Sequence, residues 1–237
     1  MAKKKVGLKV PTANELSKRY GDMIVSASDT KESGLWLPST FFMLNYTFGG
    51  GIPFGKILEV AGEESSGKSL IAYNFAYTTQ QLGGHVIWVD AEQAWMNSWA
   101  QENGVDPNGV TVIRDTRIEN IADALADVAI YWRSQLTHNE PILLVVDSIA
   151  AMDCADNIDS KMVDGKSEMG GRAKALYKFF RIRSELFYKL GITQIYINQL
   201  RTALNVGFGK DNTCLHYDTI IPFVDGTSMK IGEIIKN

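Results

Sequence analysis

One eight-residue segment combines residue types that can hold phosphate groups. It fits the pattern G-x-x-x-x-G-K-[ST] at every fixed position and reads Gly62, Glu63, Glu64, Ser65, Ser66, Gly67, Lys68 and Ser69. A strand pattern precedes it and a helix pattern follows, so backbone N–H groups and the positive end of the helix dipole converge on one anion site. Lys68 is expected to reach the β- and γ-phosphates, and Ser69 to hold Mg²⁺. The segment predicts a loop that binds ATP; a glycine-rich turn without a ligand is the alternative.

Three polar residues that follow predicted strands are further candidates for chemistry. Asp147 suits a residue that helps to hold Mg²⁺ beside the phosphates, with a helix-capping role as the alternative. Glu92 could accept a proton from the water that attacks the γ-phosphate. Gln199 could sense the γ-phosphate through its amide. Taken singly, the last two assignments are weaker than the phosphate loop, because polar residues often follow strands.

Bulk composition fits one α/β domain with at most a short appendage. The chain has 237 residues, 45% of them hydrophobic, and a formal net charge of −3. Any nucleic-acid contact must therefore come from local basic patches. Two cysteines, Cys154 and Cys214, argue against a disulfide framework and for a reducing, cytoplasmic environment. No apolar run is long enough for a signal peptide or a bilayer span, so no membrane partner is expected.

Strand and helix patterns alternate through the middle of the chain. Strands are predicted over residues 56–61, 85–90, 142–147 and 194–198, and helices from residue 70, over 118–136 and over 173–190. Continuous apolar strands are typical of a sheet that is covered on both faces. This alternation predicts the α/β class with a mainly parallel sheet and right-handed crossovers.

Four motifs, in this order and spacing, resemble the RecA family of strand-exchange ATPases. They are residues 62–69, the Asp-Ala-Glu at 90–92, residues 144–148 and residues 197–201, within a resemblance that covers roughly residues 39–213. The resemblance implies a RecA-type P-loop NTPase core that uses ATP and Mg²⁺, binds single-stranded DNA, forms filaments and serves homologous recombination and DNA repair. Residues 1–38 are expected to contain an oligomerisation helix. Residues 104–107 and 178–181 are similar to phage recombinases, which implies a phage gene expressed in bacterial cytoplasm.

The family resemblance also implies roles for individual residues. Glu92 would be the catalytic base, Gln199 the switch that reports ATP to the DNA site, and Trp99 the ring stacked on adenine, where the family usually has Tyr. Two loops, at about 156–171 and from residue 200 onward, would contact single-stranded DNA. The implied DNA contacts are Met169, Lys174, Arg181, Arg201, Leu204 and Phe208. A solvated helix face is the alternative for each basic residue.

The resemblance to a recombinase stops at Thr213, where a glycine pair and further core strands are expected but do not follow. Residues 214–237 instead show two short β patterns around an Asp-Gly turn. They are similar to the N-terminal block of an intein, a Hint fold: a leading Cys214, then Leu-x-Tyr-Asp-Thr, then Ile-Gly-x-Ile. Later intein blocks are not found, which predicts a split intein and a domain division into residues 1–38, 39–213 and 214–237.

Intein chemistry would begin at Cys214, whose thiolate attacks the carbonyl of Thr213 to form a thioester. The expected partner is a second polypeptide that carries the rest of the intein and of the recombinase. Trans-splicing would then yield a recombinase able to form homo-oligomeric filaments. The alternatives are an inert Cys in a native strand or a truncated contiguous intein. For the function of the whole chain, the alternatives are another RecA-fold ATPase, such as a ring helicase or clock-type ATPase, or a truncated inactive nucleotide-binding module.

Overall fold

The computed structural model describes residues 12–24, 26, 34–159, 170–200, 220–222 and 228–230. Its helices are α1 (Ala13–Tyr20), α2 (Phe42–Phe48), α3 (Lys68–Gln81), α4 (Asn97–Glu102), α5 (Ile118–Gln135), α6 (Ala155–Asp159) and α7 (Gly171–Lys189). Its strands are β1 (Trp36–Leu37), β2 (Ile52–Pro53), β3 (Ile57–Gly62), β4 (His85–Asp90), β5 (Val110–Ile113), β6 (Ile142–Asp147), β7 (Ile192–Gln199), β8 (Ile220–Pro222) and β9 (Ser228–Lys230). Short 3-10 helices lie at Gly21–Met23, Pro107–Gly109 and Ile149–Ala151.

The central sheet contains five parallel strands in the order β3-β7-β6-β4-β5. This confirms the predicted α/β class and parallel sheet. The register places Gly62 opposite Gln199 and Asp90 opposite Asp147. Because parallel strands end at the same edge of a sheet, their polar C-terminal residues are brought together there.

Helices cover both faces of this sheet, and each face has its own apolar core. One core joins α3 to side chains of β4, β6 and β7, including Phe75, Trp88 and Val145. The other joins α5 and α7 to the opposite sides of the same strands, including Leu125, Phe187 and Leu144. Each of these six side chains is at most 2% exposed. Burial on both faces explains why the strands are continuous apolar runs.

Most of the long elements follow the sequence predictions. The predicted strands correspond to β3, β4, β6 and β7, and the predicted helices to α3, α5 and α7. The N-terminal helix is α1, which begins after a capping box formed by Thr12 and Glu15. The shorter elements were not predicted from the sequence; they are β1, β2, β5, α2, α4 and α6.

Two further observations concern the C-terminal pair of strands and the apolar character of the helices. Strands β8 and β9 pair antiparallel, as the two predicted β segments require. That these two strands belong to an intein fold remains a prediction. None of the helices in the described ranges has the length and apolar character that a bilayer span requires.

Candidate nucleotide site

The phosphate loop runs from the end of β3 to the start of α3, and its backbone geometry favours glycine at position 67. Gly67 caps α3 with a φ of 87°, in the left-handed region, and Ser65 also has a positive φ of 61°. At Gly62 a Cβ atom would lie 2.7 Å from Ser66 Oγ, too close for any other residue without a shift. The backbone thus forms a tight cradle at a helix N-terminus, which suits an anion such as phosphate.

Lys68, the first residue of α3, folds back over this loop. Its Nζ donates a hydrogen bond to the carbonyl oxygen of Glu63 at 2.5 Å, and the residue is only 9% exposed. The ammonium group is therefore held against the backbone of the loop. A bound phosphate would compete with the Glu63 carbonyl for this donor, and the charge-assisted bond to an anion would be the stronger one.

Ser69 and Asp147 join the phosphate loop to the end of β6. Ser69 Oγ donates to Asp147 Oδ2 at 2.8 Å. Burial raises the pKa of Asp147, and the nearby carboxylates of Glu92 and Asp90 also raise it, whereas the Ser69 hydrogen bond and Lys68 lower it. One hydroxyl and one carboxylate at a phosphate cradle are oxygen donors that fit Mg²⁺, which prefers few protein ligands and several from phosphate or water.

Glu92 lies beside this pair, because the backbone after β4 is hydrogen-bonded to the end of β6. The N–H groups of Ala91 and Glu92 donate to the carbonyl oxygen of Asp147 at 3.0 and 3.4 Å. Glu92 Oε1 then accepts from the hydroxyl of Ser148 and, at 2.7 Å, from Nε2 of Gln199. Three of the residues that the sequence singled out, Glu92, Asp147 and Gln199, therefore meet at one edge of the sheet.

Asp90 fixes the loop that follows β4. It is 2% exposed and accepts hydrogen bonds from the N–H groups of Ala94 at 2.8 Å and Trp95 at 3.2 Å. Arg114 Nε lies 3.3 Å from Asp90 Oδ2. This loop leads into α4, which carries Trp99 with 43% of its surface exposed. The predicted adenine-stacking ring is thus available to a ligand, and that role remains a prediction.

Comparison with known proteins agrees with this arrangement. The RecA N-terminal domain matches residues 10–231. The chain belongs to the RecA family. RecA of Mycobacterium leprae is 33% identical over 202 residues, which are 85% of this chain and 27% of that protein. RecA of Mycoplasma mycoides is 31% identical over 84% of this chain and 56% of that protein, and RecA of Clostridium beijerinckii is 36% identical over 69% and 43%. The chain thus spans about half, or less, of the length of these relatives.

Only some of the DNA contacts that the family resemblance implies for this chain lie within the described residues. Lys174 and Arg181 are exposed on α7 and line a cleft of about 520 Å³ that also includes Lys178, Asp156 and the buried Cys154. Cys154 is a buried free thiol. Met169, Arg201, Leu204, Phe208 and Cys214 lie outside the described residues.

Three residues with contacts at the nucleotide site or positions in the α7 cleft were not predicted from the sequence. Ser148 contacts Glu92, but one hydroxyl after a strand gives no distinctive signal. Lys178 was not selected, although it follows Lys174 by one helical turn and faces the same cleft. Arg172 Nη2 donates to the carbonyl oxygen of Ile149 at 2.9 Å and so ties the start of α7 to the turn after Ser148.

Proposed function

We propose that this chain is the precursor part of an ATP-dependent recombinase that binds single-stranded DNA and acts in homologous recombination and DNA repair. The observation that carries the proposal is the cluster at the carboxyl edge of the sheet. There the Ser69–Asp147 hydrogen bond and the Glu92–Gln199 hydrogen bond flank the phosphate loop in a RecA-family chain. We propose a phage gene and a bacterial cytoplasm as its source and location.

In this proposal, different residues of the site bind the nucleotide, hold Mg²⁺ and activate the attacking water. N–H groups of residues 62–69 and the ammonium of Lys68 bind the phosphates of ATP, and Trp99 stacks on adenine. Ser69 and Asp147 hold Mg²⁺, which when bound neutralises charge on the phosphate oxygens. Glu92 orients the attacking water and accepts its proton, while Ser148 and Gln199 fix the position of its carboxylate. Gln199 changes partner when ATP is bound and thereby signals to the DNA loops.

The decisive experiment measures ATP hydrolysis with and without oligo(dT) on the joined protein, meaning residues 1–213 linked to the missing half. Stimulation by oligo(dT) is expected. Glu92→Gln should lower hydrolysis at least ~100-fold while ATP binding is retained, because general-base catalysis contributes about 10²–10⁴-fold. Glu102→Gln, on the exposed part of α4, is the matched control and should leave the rate unchanged. Unchanged turnover in Glu92→Gln would exclude its role as base.

We also propose that joining occurs by trans-splicing at Cys214 with a second polypeptide, after which the product assembles into filaments on single-stranded DNA. In the first step a bond forms between Cys214 Sγ and the carbonyl carbon of Thr213, the peptide C–N bond breaks, and the Cys214 amine takes up the proton. This step is based on the resemblance of residues 214–237 to the N-terminal block of an intein, while the match to the RecA N-terminal domain also extends to residue 231.

Trans-splicing predicts specific masses when the chain is mixed with candidate partner polypeptides. The tail of residues 214–237 should be lost and a longer ligated protein should form, and dithiothreitol should release residues 1–213 through the thioester. Cys214→Ala should abolish both products, whereas Cys154→Ala, which removes the buried thiol, should not. Equal product from the Cys214→Ala chain would contradict the proposal.

A further inference from the structure

The turn that follows β6 carries a hydroxyl group that contacts the proposed base. Ser148 Oγ donates a hydrogen bond to Glu92 Oε1, and the short 3-10 helix Ile149–Ala151 begins at the next residue. The N–H of Ala151 donates to the carbonyl oxygen of Ser148 at 3.1 Å, which closes the turn. Ser148 is fully buried, so the backbone of this turn determines where its hydroxyl lies. The position of the turn therefore sets the position of the Glu92 carboxylate.

Arg172, at the start of α7, holds this turn from a second element of the fold. Its Nη2 donates to the carbonyl oxygen of Ile149 at 2.9 Å, and the same oxygen accepts from the N–H of Met152 at 3.2 Å. The Nε of Arg172 is enclosed by protein and has no hydrogen-bond partner among the described residues. A buried donor without an acceptor costs free energy and needs an explanation beyond stability. A role in catalysis supplies one.

The same end of α7 carries a residue for which the family resemblance implies a DNA contact. Lys174 lies two residues after Arg172, is exposed and lines the cleft, whereas Arg172 is half-buried. Both belong to the first turn of one 19-residue helix, in which Phe179 and Phe187 are buried. A strand of DNA that binds to Lys174 therefore restrains the backbone that carries Arg172.

We propose that Arg172 is a positioning residue that links single-stranded DNA on α7 to the catalytic base. It holds the turn at Ile149, the turn aims the Ser148 hydroxyl at Glu92, and DNA bound at the start of α7 makes this hold more rigid. The inference rests on the proposed function, in which Glu92 is the base and DNA stimulates hydrolysis. It gives Glu92 a second connection to bound DNA, through the end of β6, beside that through Gln199 at the end of β7.

The first test measures ATP hydrolysis by the joined protein at saturating ATP, with saturating oligo(dT) and without it. Saturation ensures that a weaker phosphate contact alone does not change kcat. Arg172→Gln removes the hydrogen bond to the turn, and it should lower kcat at least about tenfold with oligo(dT) but less than about threefold without it. KM for ATP should stay within about twofold, because the residues that hold the phosphates are unchanged.

Two further variants on α7 serve as controls for this measurement. Arg172→Lys keeps a cation and a donor, so it should restore part of the kcat that Arg172→Gln loses. Arg183→Gln is the matched control, because Arg183 lies on the same helix but is ion-paired with Asp123 on α5 at 2.6 Å. It should leave kcat unchanged with and without oligo(dT).

Double variants test whether Arg172 acts through Ser148. Ser148→Ala should lower kcat by a similar factor, and adding Arg172→Gln to it should cause less than about a twofold further loss, because contacts in one chain are not additive. Two unconnected effects would multiply instead. Thermal unfolding shows whether each variant folds, and pairing Ser148→Ala with Arg172→Lys supplies the same comparison if Arg172→Gln does not.

Three outcomes would overturn the inference: an unchanged kcat in Arg172→Gln at saturating oligo(dT), an equal fractional loss with and without oligo(dT), or losses that multiply in the double variant. In each case oligo(dT) still stimulates the wild-type protein, so the proposed function stands. A wild-type joined protein that oligo(dT) does not stimulate would instead remove the proposed function and, with it, the role of Arg172 in the response to DNA.

Discussion

His85, at the start of β4, is buried in a neutral aromatic environment. It is 5% exposed, its ring stacks on Trp132 with centroids 3.5 Å apart, and its Nε2 lies 2.8 Å from Thr111 Oγ1. Burial lowers the pKa of His85 to about 4. In the unfolded chain a histidine has a pKa of about 6.5. Between these two values the unfolded chain binds the proton and the folded chain does not.

Acid should therefore destabilise the fold through this residue. The contribution of His85 to the free energy of unfolding is complete above a pH of about 6.5. It falls as the pH drops towards 4, where the free energy of unfolding is lower by about 1–3 kcal/mol. Urea unfolding at several pH values measures the slope. His85→Phe keeps a ring stacked on Trp132 and should flatten the slope of stability against pH. His138→Gln, at an exposed position, should leave that slope unchanged. An unchanged slope in His85→Phe would contradict the prediction.

At the scale of single elements, α7 separates two kinds of residue onto two faces. Phe179 and Phe187 are buried against the sheet. Lys174, Lys178 and Arg181, spaced by four and three residues, are exposed along the cleft. A row of cations at this spacing can follow the phosphates of an extended single strand.

We expect Lys178 to belong to the DNA interface of the joined protein. Lys178→Gln should weaken oligo(dT) binding and reduce the slope of log K against log salt by about 0.7, the value for one phosphate contact on a single strand. Lys189→Gln is the control on the same helix, because Lys189 is ion-paired with Glu185 at 2.7 Å. Fluorescence anisotropy at several salt concentrations measures both. Identical slopes in the two variants would place Lys178 on a solvated face.

The sequence predicts those parts of the site that depend on local spacing. Residues 62–69 are found because one short loop must place glycines, a lysine and a serine at fixed intervals. The long buried strands are found because both their faces are apolar. Asp90 and Ser148 stand in two of the motifs, but the contact of Ser148 with Glu92 is not predicted, because its partner follows another strand. Short elements such as α2 and β5 are fixed by packing against neighbours, which overrides their weak local patterns.

At the scale of the whole molecule, the order of strands in the central sheet differs from their order along the chain, and we expect this difference to affect folding. Among the described residues, β7 is the last strand of the central sheet along the chain, yet it lies between β3 and β6. It therefore connects the phosphate loop on β3 to Asp147 on β6. Side chains of Ile195 and Ile197 on β7 are at most 1% exposed and belong to the same core as Phe75. We therefore expect the sheet to close around this core only when β7 has been added.

Two truncations should show this dependence. Among the described residues the buried apolar core lies between Leu37 and Ile197, so a chain ending at residue 213 should unfold within about 3 °C of the full chain. A chain ending at Gly191 lacks only 22 further residues but leaves β3 without a partner, and it should not unfold cooperatively at all. Thermal unfolding followed by near-ultraviolet circular dichroism distinguishes the two. A cooperative transition in the shorter chain would mean that the four remaining strands form a stable sheet and that β7 is added to a preformed core.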